Sequence, residues 1–317
     1  MDFTTIWRSN CKYMPLICDP AGIDYPILKA AVDDAHRDKV MAIPYFAPIS
    51  FTENAQPEHL RFYNEWVQLP IRRWKAVESV QVRCCVNSSY LDYILYNLSL
   101  VEKNTGADGF YFDGAWPVAC NNTAHGCGYY DAEGRLHPTY SVRKMREFLR
   151  RSATLLAERM QARPNRSELR NWGEAFPDYH LWIHISGSVA PPIHSFSTAL
   201  FCGEWFKAAI RSGQGYDTLL TLDKFYPRYL SQPWGIVNFF LPIVNPKLDA
   251  AFHTNATLAY LVPAGVALYP RYLQLEMVQQ ILQIKKEFGV SSADFFPPWQ
   301  KPDLLEIKSG KNIQVGT

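Results

Sequence analysis

The sequence predicts an α/β fold, a (β/α)8 TIM barrel followed by the start of a C-terminal β-domain. Three observations carry this. Short apolar runs alternate with segments of helical period, the pattern of βαβ units around a parallel sheet. The 317 residues suit one barrel of about 250 residues with extensions. No G-x-G-x-x-G loop follows any apolar run, which leaves a doubly wound nucleotide-binding sheet without its phosphate loop. The barrel is expected over residues 1–290 and the first part of the β-domain over 291–317.

Seven runs read as strands. Val40–Phe46 comes first, behind a helix in which Pro26 suits the first turn and Ile27, Leu28, Ala31 and Ala35 recur at helical spacing. Val80–Val86 is the second. Ser88 or Ser89 then caps a helix with Leu91, Ile94, Leu95, Leu98 and Val101 on one face, and Gly106 suits its left-handed end. Gly109–Asp113 follows as the third strand. The long segment Gly114–Tyr140 exceeds ordinary connections, a length that marks function or disorder. A helix over Val142–Met160 buries Val142, Met145, Phe148, Leu149, Leu155 and Leu156. Leu181–Ile185, Thr198–Cys202, Ile236–Leu241 and Val266–Tyr269 complete the strands, and the helix Tyr272–Phe288 ends at Gly289. The eighth strand is either Tyr13–Cys18 or missing at the N-terminal end. Asp294–Val315 reads as the opening of the β-domain.

Composition narrows the partners. Thirty-two basic and thirty acidic residues give a net charge of +2, without the concentrated basic face that nucleic acid requires. The longest mostly apolar stretch, Ala256–Tyr269, is too short for a bilayer and is broken by Pro263 and Gly265, so no membrane span is expected. Met1–Asn10 shows no secretory leader pattern. Seven cysteines are far from a disulfide-rich composition and leave at least one thiol unpaired.

Reacting groups in a barrel sit at the C-terminal ends of its strands. The residues there are Tyr45 with Pro48, Asn87, Asp113, His184 with Ser186, Glu204, Asn238 and Tyr269. Two are carboxylates. In Gly109-Phe-Tyr-Phe-Asp113, alternation puts Phe110 and Phe112 on one side and Tyr111 and Asp113 on the other, and Gly114 permits a sharp turn. Asp108, at the opposite end, reads as a structural cap or ion-pair partner. Glu204 follows a short apolar strand; its competing role is to open the first turn of the next helix, where a carboxylate favours the dipole. Two convergent carboxylates are what glycosidic cleavage needs, about 5–5.5 Å apart for retention and about 6.5–9.5 Å for inversion. Trp116 and Trp205, after the two acids, suit stacking on a sugar ring, with core packing as the competitor. His184 suits a sugar hydroxyl or a buried hydrogen bond equally, and Arg83 and Tyr45 are weaker rim candidates. His194 and the Asn-x-Ser/Thr matches carry no assignment. Cys120, His125 and Cys127, with Asp131 beyond them, are metal-binding residue types but lack a fourth partner. A Cys120–Cys127 disulfide or plain thiols is the preferred reading, so no metal and no cofactor is expected.

The segments Ile23–Ala30, Ile43–Phe46, Gly106–Gly114, Tyr130–Arg135, Ser195-Phe196 and Gly203-Glu204 resemble a family of glycoside-hydrolase-like barrel proteins, mostly bacterial. These lie near α-galactosidase and endo-α-N-acetylgalactosaminidase barrels. The resemblance spans about residues 20–300. It implies an aspartate nucleophile at the end of the fourth strand, here Asp113, and an acid/base carboxylate on a later strand, here Glu204. This glutamate follows the sixth strand, whereas some relatives place the acid on the fifth. Read from the strand ends and aromatics, Tyr45, Arg83, Tyr111, Trp116, His184, Trp205 and Asn238 are the expected contacts to an oligosaccharide or glycoconjugate substrate, and the resemblance also implies a secreted or periplasmic setting. A retaining glycoside hydrolase is the expected activity; a non-catalytic carbohydrate-binding barrel is the alternative.

Overall fold

The computed structural model describes residues 3–6, 23–53, 55, 57–76, 79–162, 179–185, 190–225, 229, 236–243, 249–262, 266–290, 293, 306–308 and 314–316. The chain divides into two compact units. The first comprises Met1–Cys202 with Trp234–Val237, and the second Gly203–Pro233 with Asn238–Thr317.

In the first unit, β1 (Phe3–Ile6), β2 (Met41–Phe46), β3 (Gly109–Asp113), β4 (His180–Ile185) and β5 (Ala199–Cys202) lie side by side in chain order, all parallel. Every residue of β2 and β4 is buried, as strands covered on both faces require, and this is why both read as unbroken apolar runs. The register sets Tyr45 beside Tyr111, His184 beside Asp113 and Phe201 beside His184. At the other end Gly109 faces His180, where a Cβ would come 2.1 Å from the His180 carbonyl oxygen. Only glycine fits that seam.

Among the described residues, three long helices accompany these strands. Helix α1 (Tyr25–Arg37) is capped by Asp24, whose carboxylate accepts from the Ile27 N–H at 3.2 Å, and carries Pro26 in its first turn. It buries Leu28, Val32 and Ala35, while the expected core residue Ile27 is exposed. Helix α2 (Tyr90–Thr105) buries Leu91, Ile94, Leu95, Leu98 and Val101 as its periodicity predicts, and ends on Gly106 at φ 71°. Helix α3 (Val142–Ala162) buries Met145, Phe148, Leu149, Ala153 and Leu156, whereas Val142 is exposed.

Val80–Val86 does not join the parallel sheet. Ser79–Arg83 is instead the centre of a small antiparallel sheet between Ser50–Thr52 and Arg73–Ala76, with Phe51 opposite Val82 and Trp74 opposite Gln81. The first parallel strand is Phe3–Ile6, and Tyr13–Cys18 lies outside the described residues. Among the described residues, Asp113 therefore ends the third parallel strand, and Ala199–Cys202 is the fifth. The long segment after Asp113 is ordered by two short hairpins, Ala119–Cys120 with Thr139–Tyr140 and Tyr129–Tyr130 with Leu136–His137.

The second unit is built on β6 (Val237–Phe240) and β7 (Ala267–Leu268), parallel with Phe239 beside Ala267. Val237 itself belongs to the first unit, where its N–H donates to the Thr198 carbonyl at 3.0 Å. Helix α4 (Ala250–Leu261) is capped by Asp249, and α5 (Leu275–Phe288) stops at Gly289. The buried Tyr216 packs on Phe240 and His253. Glu306–Lys308 and Gln314–Gly316 form an antiparallel hairpin within the expected C-terminal β-segment. Among the described residues no helix is long and apolar enough to cross a membrane.

Candidate active site

Alternation along β3 separates its side chains as the sequence predicts. Phe110 and Phe112 stack at 5.7 Å, and Phe112 stacks on Phe148 of α3 at 5.3 Å. The opposite face carries Tyr111 and Asp113. Tyr111 meets Tyr45 edge-on at 5.3 Å and lies parallel to His184, with its hydroxyl 2.8 Å from His184 Nδ1. Phe201 closes against the same ring at 4.9 Å. Above them the half-buried Asp113 carboxylate accepts a hydrogen bond from the Tyr45 hydroxyl at Oδ2. A carboxylate at the carboxyl end of a buried parallel strand, fixed by a phenol and bordered by imidazole, is thus assembled from β2, β3 and β4 alone.

Arg83 reaches this end of β3 from the antiparallel sheet. Its Nη1 donates to the Gly114 carbonyl at 3.1 Å, and its guanidinium lies 5.2 Å from the Trp74 ring and 4.9 Å from the Trp116 ring. Gly114 has φ 73°, and a Cβ there would sit 2.5 Å from Arg83 Nη1. The positive φ favours glycine after the acid, and any larger residue would also push the Arg83 guanidinium aside. Trp74 was not singled out in the sequence; nothing in its local pattern marks it, since its role depends on the antiparallel pairing that brings Arg83 alongside.

At the opposite end of β3, Asp108 is 1% exposed, and its Oδ2 accepts from the Ala42 N–H and lies beside His36 Nε2, both at 2.8 Å. It is the structural carboxylate the sequence implies. Burial pushes the His180 imidazole down to about 4, against the pull of Asp108. Burial does the same to His194, also to about 4, whose Nδ1 accepts from the Ala190 N–H at 3.0 Å.

Glu204, Trp205 and Asn238 belong to the second unit. Glu204 opens a single 3-10 turn, Glu204–Phe206, with Lys207 Nζ 3.9 Å from its Oε1. The Trp205 ring lies 4.9 Å from Phe206, and Asn238 is half-buried on β6. Tyr45, Arg83, Tyr111, Asp113, Trp116 and His184 are brought together in the first unit.

Cys120 and Cys127 are not bridged to each other. Both are buried beside Cys85, and the three Sγ atoms lie within 4.8 Å of one another. A proton shared between Cys85 and Cys120 pulls the Cys120 thiol below the usual thiol range and pushes Cys85 above it. Asp131 has other partners: its Oδ2 lies 2.6 Å from His137 Nε2 and 2.8 Å from Arg135 Nε, which hold its carboxyl below the usual carboxylate range. The free thiols agree with the plain-thiol reading, and Cys85, thirty-five positions before Cys120, is a neighbour that the sequence did not mark.

No family model matches the chain, and no curated protein does. Among solved structures, the chain is similar to Ega3 of Aspergillus fumigatus in complex with galactosamine, at 13% identity over 84% of this chain and 88% of that one, TM-score 0.46. It is similar to the α-galactosidase of Thermus thermophilus in complex with stachyose, at 12% identity over 82% of this chain and 52% of that one, TM-score 0.47. It also resembles α-L-fucosidase isoenzyme 2 of Paenibacillus thiaminolyticus, at 17% identity over 84% of this chain and 39% of that one, TM-score 0.48. The chain thus spans about half the length of the α-galactosidase. At these identities and scores, fold and site rest on this chain's own residues.

Proposed function

We propose that the chain is a glycoside hydrolase that cleaves an O-glycosidic bond of an oligosaccharide or glycoconjugate with retention. The observation that supports it is the Asp113 carboxylate at the carboxyl end of β3, its Oδ2 held by the Tyr45 hydroxyl. Attack on an anomeric carbon needs an oxygen fixed in direction before substrate arrives. The phenol fixes one oxygen and stabilises the anion, as a charge-assisted hydrogen bond does. The partly exposed Trp116, held beside Arg83, suits the apolar face of a pyranose, while the buried Tyr45 and Tyr111 support the acid from within the sheet.

On this reading Asp113 attacks the anomeric carbon while the Glu204 carboxyl gives its proton to the leaving oxygen. Glu204 then takes a proton from water, which displaces Asp113 from the glycosyl-enzyme. Arg83, Trp205 and Asn238 bind the sugar, and the buried Tyr111–His184 pair, expected as a sugar contact, instead supports the acid from below. Residues 1–290 form the catalytic barrel and 291–317 begin a further β-domain, and the protein works in a secreted or periplasmic setting.

The test is a screen of aryl α- and β-glycosides, N-acetylhexosaminides included, followed by variants on whichever is cleaved. Asp113→Asn should lower kcat by about 10⁴-fold. Glu204→Gln should cost about 10²–10⁴-fold, least for the best leaving group. Full activity in Asp113→Asn overturns the assignment. Sugar binding without turnover of any glycoside establishes the carbohydrate-binding alternative instead.

A further inference from the structure

Cys85 follows the last strand of the antiparallel sheet, while Cys120 and Cys127 flank the 3-10 turn Thr123–His125 in the long segment after Asp113. All three side chains are at most 1% exposed and form a cluster of their own. Cys85 Sγ and Cys127 Sγ are 3.7 Å apart. That is far from a disulfide bond of about 2.05 Å, and close to the edge of a tetrahedron of sulfurs about 2.3 Å from a central zinc ion, which is about 3.8 Å.

The imidazole best placed to complete the set is His125, which neighbours Cys120 but does not come within 4.8 Å of all three sulfurs and so has to swing inward to close it. His125 Nδ1 lies 3.9 Å from Cys120 Sγ, while its Nε2 points at the Glu65 carbonyl oxygen. Nε2 also meets the Asn122 Nδ2 amide at 3.2 Å; of the two neighbours the Glu65 carbonyl calls for the Nε2–H tautomer, which leaves the Nδ1 lone pair on the Cys120 side, the arrangement that orients metal-bound imidazoles. Two amide groups aim N–H at sulfur: Asn87 Nδ2 at Cys127 Sγ, 3.1 Å, and the Asn122 backbone at Cys120 Sγ, 3.5 Å. Such donors stabilise thiolates and have little to do for neutral thiols in an apolar core.

We propose that Cys85, Cys120, Cys127 and His125 form a structural zinc site. The three thiols bind as thiolates, releasing their protons to solvent, and the imidazole binds through Nδ1. With four protein ligands the ion has no open position, so it fastens rather than reacts. What it fastens is specific. It ties the segment just past Arg83 to the segment just past Trp116, the two residues that flank Gly114. This inference is independent of whether Asp113 is catalytic.

The test uses the full-length chain, purified without chelator and kept reduced. Elemental analysis after gel filtration should give one zinc per chain, and exchange with cobalt should give thiolate-to-metal charge-transfer bands and the intense visible bands of a tetrahedral ion. Cys85→Ser, Cys120→Ser and Cys127→Ser should each lose the metal, while Cys202→Ser, a buried thiol outside the cluster, should keep it. Asn87→Ala, which spares every ligand, should weaken zinc by about 10–100-fold in a competition with a chromophoric chelator. Wild-type protein without stoichiometric zinc that also gives no cobalt spectrum overturns the proposal, whether or not the serine variants fold. So does a bond between Cys85 and Cys127 found by mass spectrometry in the reduced preparation, or a Cys85→Ser chain that binds cobalt as the wild type does.

Discussion

Residues one position apart on β3 face opposite demands. Phe110 and Phe112 point to a dry face, stacked on each other and on Phe148, where the only requirement is to fill space without water. Tyr111 and Asp113 point to a face where each polar atom needs a named partner: the Tyr111 hydroxyl has His184, and Asp113 has the Tyr45 hydroxyl. The dry face tolerates a change of shape at a cost in stability. The polar face tolerates almost no change of chemistry, because a lost partner leaves a desolvated group behind.

The largest effect on stability is expected where the dry face is broken. Phe112→Ala deletes a fully buried ring and should lower the unfolding free energy by about 3–5 kcal/mol, read by denaturant titration at unchanged slope. A loss below about 1 kcal/mol would mean the ring packs on less than its two phenyl neighbours. Acid probes the polar side next. His180 lies on the same face of β4 as His184, and its imidazole titrates near 4 in the folded chain against about 6.5 unfolded. The unfolded chain therefore takes up the proton first, and stability falls as pH drops from about 6.5 to 4, by roughly 3 kcal/mol from this imidazole. His180→Gln should flatten that part of the profile, His194 supplying the remainder; an unchanged slope in the variant would assign the acid sensitivity elsewhere. The smallest effect belongs to Arg83→Lys. It keeps the charge but surrenders the planar group beside Trp74 and Trp116, at a cost of about 1 kcal/mol. A neutral result would show that the two indoles do not depend on it.

The same contrast explains what could be read beforehand. Periodicity is local, so the split of β3 into a Phe face and a Tyr–Asp face, the buried stripe of α2 and its end at Gly106 were legible. Strand partners are not local. Val80–Val86 was apolar enough to pass for a barrel strand, yet Ser-Val-Gln-Val-Arg over 79–83 alternates polar and apolar, the mark of an antiparallel strand rather than one covered on both faces. That signal was available and outweighed by the count of apolar residues. Phe3–Ile6 is four residues long and gives periodicity nothing to work on. The thiol cluster was hidden for a different reason: Cys120 and Cys127 are close in sequence, but Cys85 arrives from another sheet, and no spacing rule spans that gap.

Gly109 ends the matter of height. Because the chain beneath Asp113 comes too near the His180 carbonyl for any larger residue, sliding β3 along β4 by one step would drive Phe110 into that gap and turn the acid toward the helices. A hydrogen atom at the foot of the strand therefore decides how far the carboxylate projects at its crown, four residues away.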